Sequence, residues 1–184
     1  MGERNLGVYR IRNAGPSDAE IVRQISADAY IAAYVPVLGY IPLPAEEDYG
    51  SRIARHEVWM IEQDGKAVGV AVLEEFTDHL VVHSIAVNPG EQRRGFGKAL
   101  LDFADQRAIE IGVPETRLFT NSRMQRNIAI YSRHGYAHIG VRPHPNRPGK
   151  WLLIWCARFG QRAPSIAAQS HSNAYQSFGG PRGA

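Results

Sequence analysis

Apolar and polar residues first alternate with the period of a strand and then recur with the period of a helix. Residues 8–12 alternate in polarity, as in a half-buried strand, and Gly15-Pro16 ends that segment. Ser17 and Glu20 have the spacing of a capping box, which predicts that a helix begins there. The apolar residues that follow lie three and four positions apart, so this helix has one buried face.

Further along the chain, turn residues separate several short periodic segments. Three prolines and a glycine predict a loop over residues 34–44, and a short helix follows over about residues 46–54. Asp64-Gly65 predicts a hairpin. The other elements are strands over 58–63, 66–75 and 79–87, a helix over 95–111, a strand over 117–120, a helix over 127–133, and strands over 136–141 and 151–159. This order predicts an α/β (α+β) domain whose sheet is largely antiparallel in its first half.

Composition narrows the class of protein. The 184 residues suit one domain, expected over residues 1–160, whereas residues 161–184 lack acidic residues and predict a flexible tail. A single cysteine excludes an intrachain disulfide and a Cys-rich zinc module. The chain has neither a run of about 18 apolar residues nor a signal-peptide core, which favours a cytoplasmic protein without a membrane segment. The formal charge of +3 suits an anionic ligand as well as a nucleic acid.

The most informative segment follows an apolar strand and opens a helix: Gln92-Arg93-Arg94-Gly95-Phe96-Gly97-Lys98. Its glycines let the backbone approach a ligand, and the first N–H groups of a helix have no partner within it. With the helix dipole and three basic side chains, they suit a pyrophosphate. An ordinary basic helix start explains the same glycines, and the segment matches neither a Walker loop nor a full dinucleotide fingerprint. Nucleic-acid binding is a weaker alternative, because no basic stripe or base-stacking motif accompanies the two arginines.

Two segments in register resemble a known family. Gln92-x-x-Gly95-x-Gly97, after Ile85-Ala86-Val87-Asn88-Pro89, resembles motif A of the GNAT superfamily of acyl-CoA-dependent N-acetyltransferases. Residues 127–136, Asn-Ile-Ala-Ile-Tyr-Ser-Arg-His-Gly-Tyr, resemble its motif B. Further segments resemble a bacterial subgroup of that family: Asp28-Ala29-Tyr30, Tyr34-Val35-Pro36, Pro44 and Asp48-Tyr49. The chain departs from this subgroup at His83, where its members commonly have an acidic residue.

The resemblance implies a fold and a cosubstrate. The fold is a mostly antiparallel, twisted sheet of about seven strands with helices on both faces. The cosubstrate is acetyl-CoA, without a metal, and its pantetheine arm pairs with a strand through Ile85 and Val87, between two splayed strands. Its pyrophosphate lies on the backbone N–H groups of residues 92–98. The implied cofactor-binding residues are Ile85, Ala86, Val87, Gln92, Arg93, Arg94, Gly95, Phe96, Gly97, Lys98 and Asn127, the last of which could instead be a helix N-cap.

Acetyl transfer to an amine needs a group that removes a proton and a group that protonates the leaving thiolate. The resemblance implies that Tyr131 is the general acid. The alternative is that Tyr131 is a helix tyrosine that only packs on the core. His83 is the candidate base, because histidine titrates near pH 6.5 and His83-x-x-Ala86-Val87 resembles GNAT enzymes with a strand histidine. On a strand with alternating side chains, His83 shares a face with Val81, Ile85 and Val87. The alternative is that His83 is a half-buried histidine that forms a hydrogen bond with a neighbour and has no catalytic role.

Other polar residues have weaker claims to a role. Glu74 and Glu75 are reserve bases, more simply explained as a solvated hairpin end. Glu46 and Glu47 are best explained as negative charges at a helix N-terminus, whereas Asp48 could serve there or attract a cationic amine. The histidine spacings form no compact metal pair, and Cys156 lies in an apolar strand as a core thiol. The acceptor site is expected beside Tyr30, Tyr34, Tyr40 and Tyr49.

These observations predict an N-acetyltransferase that uses acetyl-CoA to modify a small-molecule amine by direct attack in a ternary complex. One alternative of the same class acetylates a protein N-terminus or a lysine. A different alternative binds CoA as a regulator without catalysis. A homodimer is compatible with the resemblance, because C-terminal strands often pair between protomers in this family.

Overall fold

Seven strands form one mixed sheet in the computed structural model, which describes residues 8–159. Their bounds are β1 (Tyr9–Asn13), β2 (Val58–Gln63), β3 (Lys66–Glu75), β4 (Leu80–Val87), β5 (Glu115–Thr120), β6 (Ala137–Pro143) and β7 (Trp151–Arg158). The spatial order is β1-β2-β3-β4-β5-β7-β6, and every neighbouring pair is antiparallel except β4 and β5. The tail predicted over residues 161–184 lies outside the described residues.

In the part of the chain that the structure describes, four α-helices cover both faces of the sheet: α1 (Ala19–Leu38), α2 (Tyr49–Ala54), α3 (Phe96–Glu110) and α4 (Gln125–His134). The core under α1 and α2 includes Val22, Ile25, Ile53, Met60 and Val70. The core under α3 and α4 includes Leu73, Leu80, Leu100, Leu101 and Leu118. The predicted fold class is therefore confirmed. Within residues 8–159, none of the helices is both long enough and apolar enough to cross a membrane.

Local turn chemistry explains the hairpin between β2 and β3. Asp64 and Gly65 have φ angles of 50° and 73°, and a two-residue type I′ turn requires positive values at both positions. Asp and Gly tolerate that conformation better than other residues do, so the hairpin forms where it was predicted.

The first helix begins differently from the prediction. A 3₁₀ turn over Pro16–Asp18 precedes α1, and the backbone N–H of Gly15 donates to Asp18 Oδ2 at 2.8 Å. Arg12 also donates to Asp18 Oδ2, at 2.6 Å. The predicted capping box of Ser17 and Glu20 is wrong, because the ion-paired carboxylate of Asp18 satisfies the turn instead and Glu20 pairs with Arg23.

The predicted loop over residues 34–44 is helical in its first half. Helix α1 continues through Pro36 and ends at Leu38, where Gly39 adopts a φ of 79° and donates its N–H to the Val35 carbonyl at 2.9 Å. Proline removes one N–H and so weakens a helix. Packing outweighs that loss here, since the ring of Tyr34 lies 4.7 Å from the ring of Tyr30 on the same turn.

The second helix is shorter than predicted. It begins at Tyr49 because Asp48 is the N-cap, and the Asp48 carboxylate accepts the backbone N–H of Ser51 at 3.3 Å. Residues 46 and 47 therefore precede the helix. The exposed Asp48 side chain therefore has the first of its two expected roles, as a negative charge at this helix start.

Candidate active site

A cavity opens where two central strands separate. β4 and β5 pair over residues 80–82 and 116–118, and beyond this segment they splay apart. The cavity measures about 1180 Å³ and is lined by His83, Ile85 and Tyr131 among others. The splayed strands that the resemblance implied are thus present.

The backbone of β4 presents alternate residues to this opening. Asn88 donates its N–H to Val68 of β3 at 2.9 Å, so the polar groups of Ile85 and Val87 point away from β3. The carbonyl of Val87 accepts a hydrogen bond from Gln92 Nε2 at 3.2 Å. Ala86 differs from both, because its backbone faces β3 and its side chain is buried under α1 and α2.

A β-bulge in β4 re-aims His83. Val72 pairs with Ser84 and Leu73 with Val82, so His83 has no partner on β3. A bulge breaks the alternation of side chains. The expectation that His83 shares a face with Ile85 and Val87 is therefore wrong, since Ile85 and Val87 pack on the α3 side whereas His83 faces α2.

The guanidinium of Arg52 contacts His83 and three carboxylates. Arg52 of α2 donates from Nε to Glu47 Oε1 at 2.7 Å and from Nη1 to Glu57 Oε2 at 2.8 Å, and it also pairs with Glu74. Its Nη2 atom lies 3.1 Å and 3.3 Å from the two ring nitrogens of His83. Similar distances to both nitrogens place the guanidinium over the face of the ring. We call Glu47, Arg52, Glu57, Glu74 and His83 the ionic cluster.

Two carboxylates, one beside each ring nitrogen of His83, favour the form in which both nitrogens are protonated. Glu47 Oε2 lies 3.1 Å from Nε2, and Glu74 Oε1 lies 3.1 Å from Nδ1. Both ring nitrogens are donors only in the imidazolium form. Burial alone would lower the pKa of His83, but the hydrogen bonds to Glu47 and Glu74 outweigh it and raise this pKa to about 9. The expectation of a histidine that titrates near 6.5 is therefore wrong.

The carboxylates of the cluster respond in the opposite direction. Burial favours the neutral form of Glu74, yet its hydrogen bonds with His83 and Arg52 lower its pKa to about 2. The pKa of Glu47 is also lowered, because the same two partners outweigh its burial. Both carboxylates are therefore charged at neutral pH. Within residues 8–159, no group of three or more His, Cys, Asp or Glu side chains could hold a metal ion.

The ionic cluster revises the assignments of the acidic residues. Glu47 and Glu74 have side chains only 12% and 18% exposed, so neither belongs to a solvated helix start or hairpin end. Glu75 does lie at the surface, where it pairs with Arg107 at 2.8 Å. Arg52 was not predicted to lie in the site. Its signal was an arginine on the apolar face of a short helix, between the buried Tyr49 and Ile53.

Tyr131 lines the cavity from the opposite side of the sheet. It lies on α4, packs against the core under α3, and has its ring 6.3 Å from that of Tyr136. Burial raises the pKa of the Tyr131 hydroxyl well above its usual range, so the group keeps its proton. Tyr131 thus both packs against the core and lines the cavity.

A chain of hydroxyl contacts links α4 to α1 and β4. Asn127 Nδ2 donates to the Tyr34 hydroxyl at 2.6 Å, and burial raises the pKa of Tyr34 to about 12. The hydroxyl of Tyr30 interacts with the backbone of Ile85. The N-cap of α4 is Met124, so the alternative assignment of Asn127 as an N-cap is wrong.

The turn before α3 presents uncapped backbone N–H groups. Arg93 and Gly95 adopt φ angles of 64° and 106°, and no side chain caps the helix start at Gly95. The N–H of Ala99 donates to the Gly95 carbonyl at 3.0 Å. The start of a helix directs backbone N–H groups outwards, and such a start is suited to binding an anion.

The side chains of this turn are partly engaged elsewhere. Arg94 pairs with Glu91 and donates to Gln63 Oε1 at 2.6 Å, and Lys98 pairs with Asp102 at 2.7 Å. Phe96 is fully buried in the core, so only its backbone is available to a ligand. The backbone of this turn, more than its side-chain charge, is suited to an anion.

Two segments that line the cavity contact each other. The Arg147 guanidinium lies 3.8 Å from the centroid of the Tyr40 ring, and its Nη2 donates to the Ile41 carbonyl at 2.8 Å. This contact joins the β6–β7 loop to the segment between α1 and α2. Tyr30, Tyr34 and Tyr40 line the cavity as expected. Tyr49 does not line it and donates instead to the Pro44 carbonyl at 2.7 Å.

Cys156 of β7 is an inert thiol. It is buried, and its Sγ donates to Glu115 Oε2 at 3.3 Å. Burial and the neighbouring carboxylate raise its pKa to about 11, so the thiolate form is scarce at neutral pH. The expected core position of this residue is confirmed.

Comparison with known families places most of the chain in one of them. Residues 21–136 match the family model described as the acetyltransferase (GNAT) family. A solved structure agrees with this match. The PaiA N-acetyltransferase of Thermoplasma acidophilum, in complex with coenzyme A, superposes with a TM-score of 0.70 at 15% identity. The superposition covers 83% of this chain and 100% of that structure. At that identity the similarity concerns the fold.

Two curated relatives are more similar in sequence. The UPF0157 protein YqkA of Bacillus subtilis is 29% identical over 151 residues, which cover 74% of this chain and 44% of the relative. The ribosomal protein bS18-alanine N-acetyltransferase of Escherichia coli is 28% identical over 88 residues, which cover 48% of this chain and 60% of the relative. The chain thus spans about half the length of each.

Proposed function

Because the chain belongs to the acetyltransferase (GNAT) family, we propose that it transfers the acetyl group of acetyl-CoA to a primary amine of a small molecule. The observation that carries this proposal is the cavity between β4 and β5. His83 and Tyr131, one positively charged and one neutral at pH 7, line the same space and approach it from opposite faces of the sheet.

The residues present fit acetyl-CoA. A Cβ added to Gly97 would meet Val87 Cγ2 at 3.9 Å, an ordinary contact distance, so a side chain at this position fits the fold and would cover the backbone of the first turn of α3. The backbone at the start of α3 would hold the pyrophosphate, and the free edge of β4 at Ile85 and Val87 would hold the pantetheine arm. When bound, acetyl-CoA supplies the acetyl group as a thioester.

His83 is the proton acceptor in this proposal. An alkylamine with a pKa of about 10 enters as an ammonium ion and must lose a proton before it can react. Glu74 has a pKa of about 2 and is a poor base. The pKa of His83, about 9, is much closer to that of the ammonium. Neutral His83 therefore takes the proton at a ring nitrogen, and the paired carboxylates stabilise the imidazolium that forms.

Tyr131 is the proton donor in this proposal. Its hydroxyl keeps its proton over the whole physiological pH range because burial raises its pKa. A general acid must be protonated when the reaction begins. Asn127, through its bond to Tyr34, ties the start of α4 to α1 and so helps to fix the helix that carries Tyr131.

The contact between Arg147 and Tyr40 favours a small acceptor. It joins two loops that border the cavity, so an extended polypeptide would have to part them before it entered. The relative that modifies the alanine of a ribosomal protein supports the alternative, a protein N-terminus. Homodimer formation stays a prediction: β6 lies at the edge of the sheet, and sedimentation of the full chain would test it.

Release of free CoA from acetyl-CoA, measured with a panel of small amines and with N-terminal peptides, tests the proposed function. We expect turnover with at least one small amine and much slower turnover with peptides. Faster turnover with peptides would replace the small acceptor by a protein. Tight CoA binding without turnover on any acceptor would instead support a non-catalytic regulator.

A further inference from the structure

The cavity carries different charges on two of its walls. On the α2 side stands the ionic cluster, in which Arg52 and His83 are balanced by three carboxylates. On the β6 side the lining includes Arg142 and His144. Of the ionic cluster, Arg52, Glu74 and His83 line the cavity. An acceptor that spans the cavity therefore meets this ion-paired group at one end and Arg142 at the other.

Arg142 is held by an aromatic ring. Its guanidinium carbon lies 4.8 Å from the centroid of Phe119, which projects from β5 next to the splayed segment. A guanidinium stacked on a ring keeps its N–H groups available at its edges, where they can bind a carboxylate or a phosphate in a bidentate manner. Stacking also reduces the freedom that Arg142 would lose on binding a ligand.

The other basic groups of the lining are already neutralised. Arg117 is ion-paired with Glu115, and Arg52 with the carboxylates of the ionic cluster. Burial and the nearby Arg147 and Arg142 lower the pKa of His144, which is therefore neutral at pH 7. Among residues 8–159, no carboxylate forms an ion pair with Arg142.

We propose that the acceptor carries an anionic group, a carboxylate or a phosphate, in addition to its amine, and that Arg142 binds this group. The proposal rests on the proposed acetyltransferase function and specifies its substrate class. The amine is directed to His83 and its carboxylates, while the anion on Arg142 fixes the other end of the molecule. Simple alkylamines and polyamines, which lack an anion, are then poor acceptors.

Matched pairs of amines test this assignment on the full chain. The pairs are glycine with glycinamide, 4-aminobutanoate with 4-aminobutanamide, and phosphoethanolamine with ethanolamine. For at least one pair we expect kcat/KM to be about 10- to 100-fold higher for the anionic member, the range expected of a hydrogen-bonded charge. The pair that responds tells whether the anion is a carboxylate or a phosphate.

Variants connect the preference to one residue. For the responding pair, Arg142→Gln should bring the ratio of kcat/KM for the anionic member to kcat/KM for the neutral member to within about twofold of one. The change should come mainly from a higher KM for the anionic member, with kcat/KM for the neutral member unaffected. Arg142→Lys should keep part of the ratio. Lys66→Gln, which removes a positive charge at the exposed β2–β3 hairpin, should keep all of it.

A binding measurement separates this inference from the proposed function. Calorimetry of the same six compounds with the CoA-saturated protein should show tighter binding of an anionic member and its loss in Arg142→Gln. That result without turnover would support the role of Arg142 and overturn the enzymatic proposal. Equal binding within every pair, a preference for the neutral members, or an equal loss for both members in Arg142→Gln would overturn the assignment of Arg142.

Discussion

The Nε2 atom of His83 lies 3.1 Å from Glu47 Oε2, and this ion pair determines when the histidine can accept a proton. A carboxylate on Nε2, together with a second on Nδ1, stabilises the imidazolium against burial and raises the pKa of His83 to about 9. The proposed base is therefore mostly protonated at pH 7. Its working form becomes abundant only in alkaline solution.

The first prediction concerns the pH dependence of turnover. With His83 as the base, kcat/KM should rise with pH through a midpoint near 9, not near 6.5, and level off above it. His83→Gln should lower turnover by about 10²–10⁴-fold and remove this dependence, apart from that of the acceptor amine. A profile already flat from pH 7 upwards in the wild-type protein would exclude His83 as the base.

The same shift predicts a pH-dependent stability. The pKa of His83 is about 9 in the folded chain and about 6.5 when unfolded, so its contribution is complete below about pH 6.5 and is lost as the pH rises through 9. The contribution amounts to at most about 3 kcal/mol. Urea unfolding should show the advantage of wild type over His83→Gln shrinking between pH 7 and pH 10. A constant difference would show that the pKa of His83 is unperturbed.

Glu47 and Glu46 offer a matched pair for testing the ionic cluster. Glu47→Gln removes the carboxylate from Nε2, so the pKa of His83 should fall and the rising limb of the pH–rate profile should move towards neutral pH. Glu46→Gln also removes one negative charge, but from an exposed neighbouring residue. It should leave the rising limb of the pH–rate profile where it is in the wild-type protein. Identical profiles for the two variants would show that Glu47 does not tune the histidine.

The contrast between these neighbours also shows what sequence patterns could predict. The hairpin at Asp64-Gly65 and the turn before α3 depend on residues close in the chain, and both were predicted correctly. The ionic cluster instead brings together residues 47, 52, 57, 74 and 83, which the fold makes neighbours. Local pattern explained Glu47 best as a helix-start charge, and it indicated no partner for Arg52.

Tertiary packing likewise changed two local predictions. Pro36 marked a loop by propensity, yet α1 continues past it because its last turns pack against α4 and the core through Tyr30 and Tyr34. The alternation of β4 predicted the wrong face for His83, since a bulge has no sequence signal of its own in this strand. Both departures lie at the cavity, where the fold shapes the site.

Tyr131 and Tyr136 are neighbouring tyrosines whose hydroxyl groups should behave differently. Tyr131→Phe removes the proposed proton donor and should lower kcat by about 10²–10⁴-fold with little change in CoA affinity. Tyr136→Phe breaks hydrogen bonds of 2.9 Å with Thr116 and 2.7 Å with Asp105, so it should reduce stability and spare kcat. Near-normal turnover in Tyr131→Phe would make that residue a packing group only.

Gly97 tests the anion-binding turn. Valine at this position would fill the space beside the first turn of α3, so Gly97→Val should fold and bind CoA at least tenfold more weakly in calorimetry. Gly140→Val is its control, because a Cβ there meets only Ile154 at 4.0 Å on a strand remote from the turn. Equal CoA affinity in the two variants would exclude the turn as the pyrophosphate site.

The last prediction concerns the contact between Arg147 and Tyr40, which is the proposed limit on the size of the acceptor. Arg147→Ala removes a cation–π contact at 3.8 Å and the hydrogen bond to Ile41, so the two loops should part more readily. The ratio of peptide to small-amine turnover should then rise about two- to thirtyfold, the equivalent of a 0.5–2 kcal/mol contact. Lys150→Ala, an exposed change on the same loop, should leave the ratio at its wild-type value. If Arg147→Ala also leaves it there, the bridge does not limit acceptor size, and the preference for a small amine loses its structural basis.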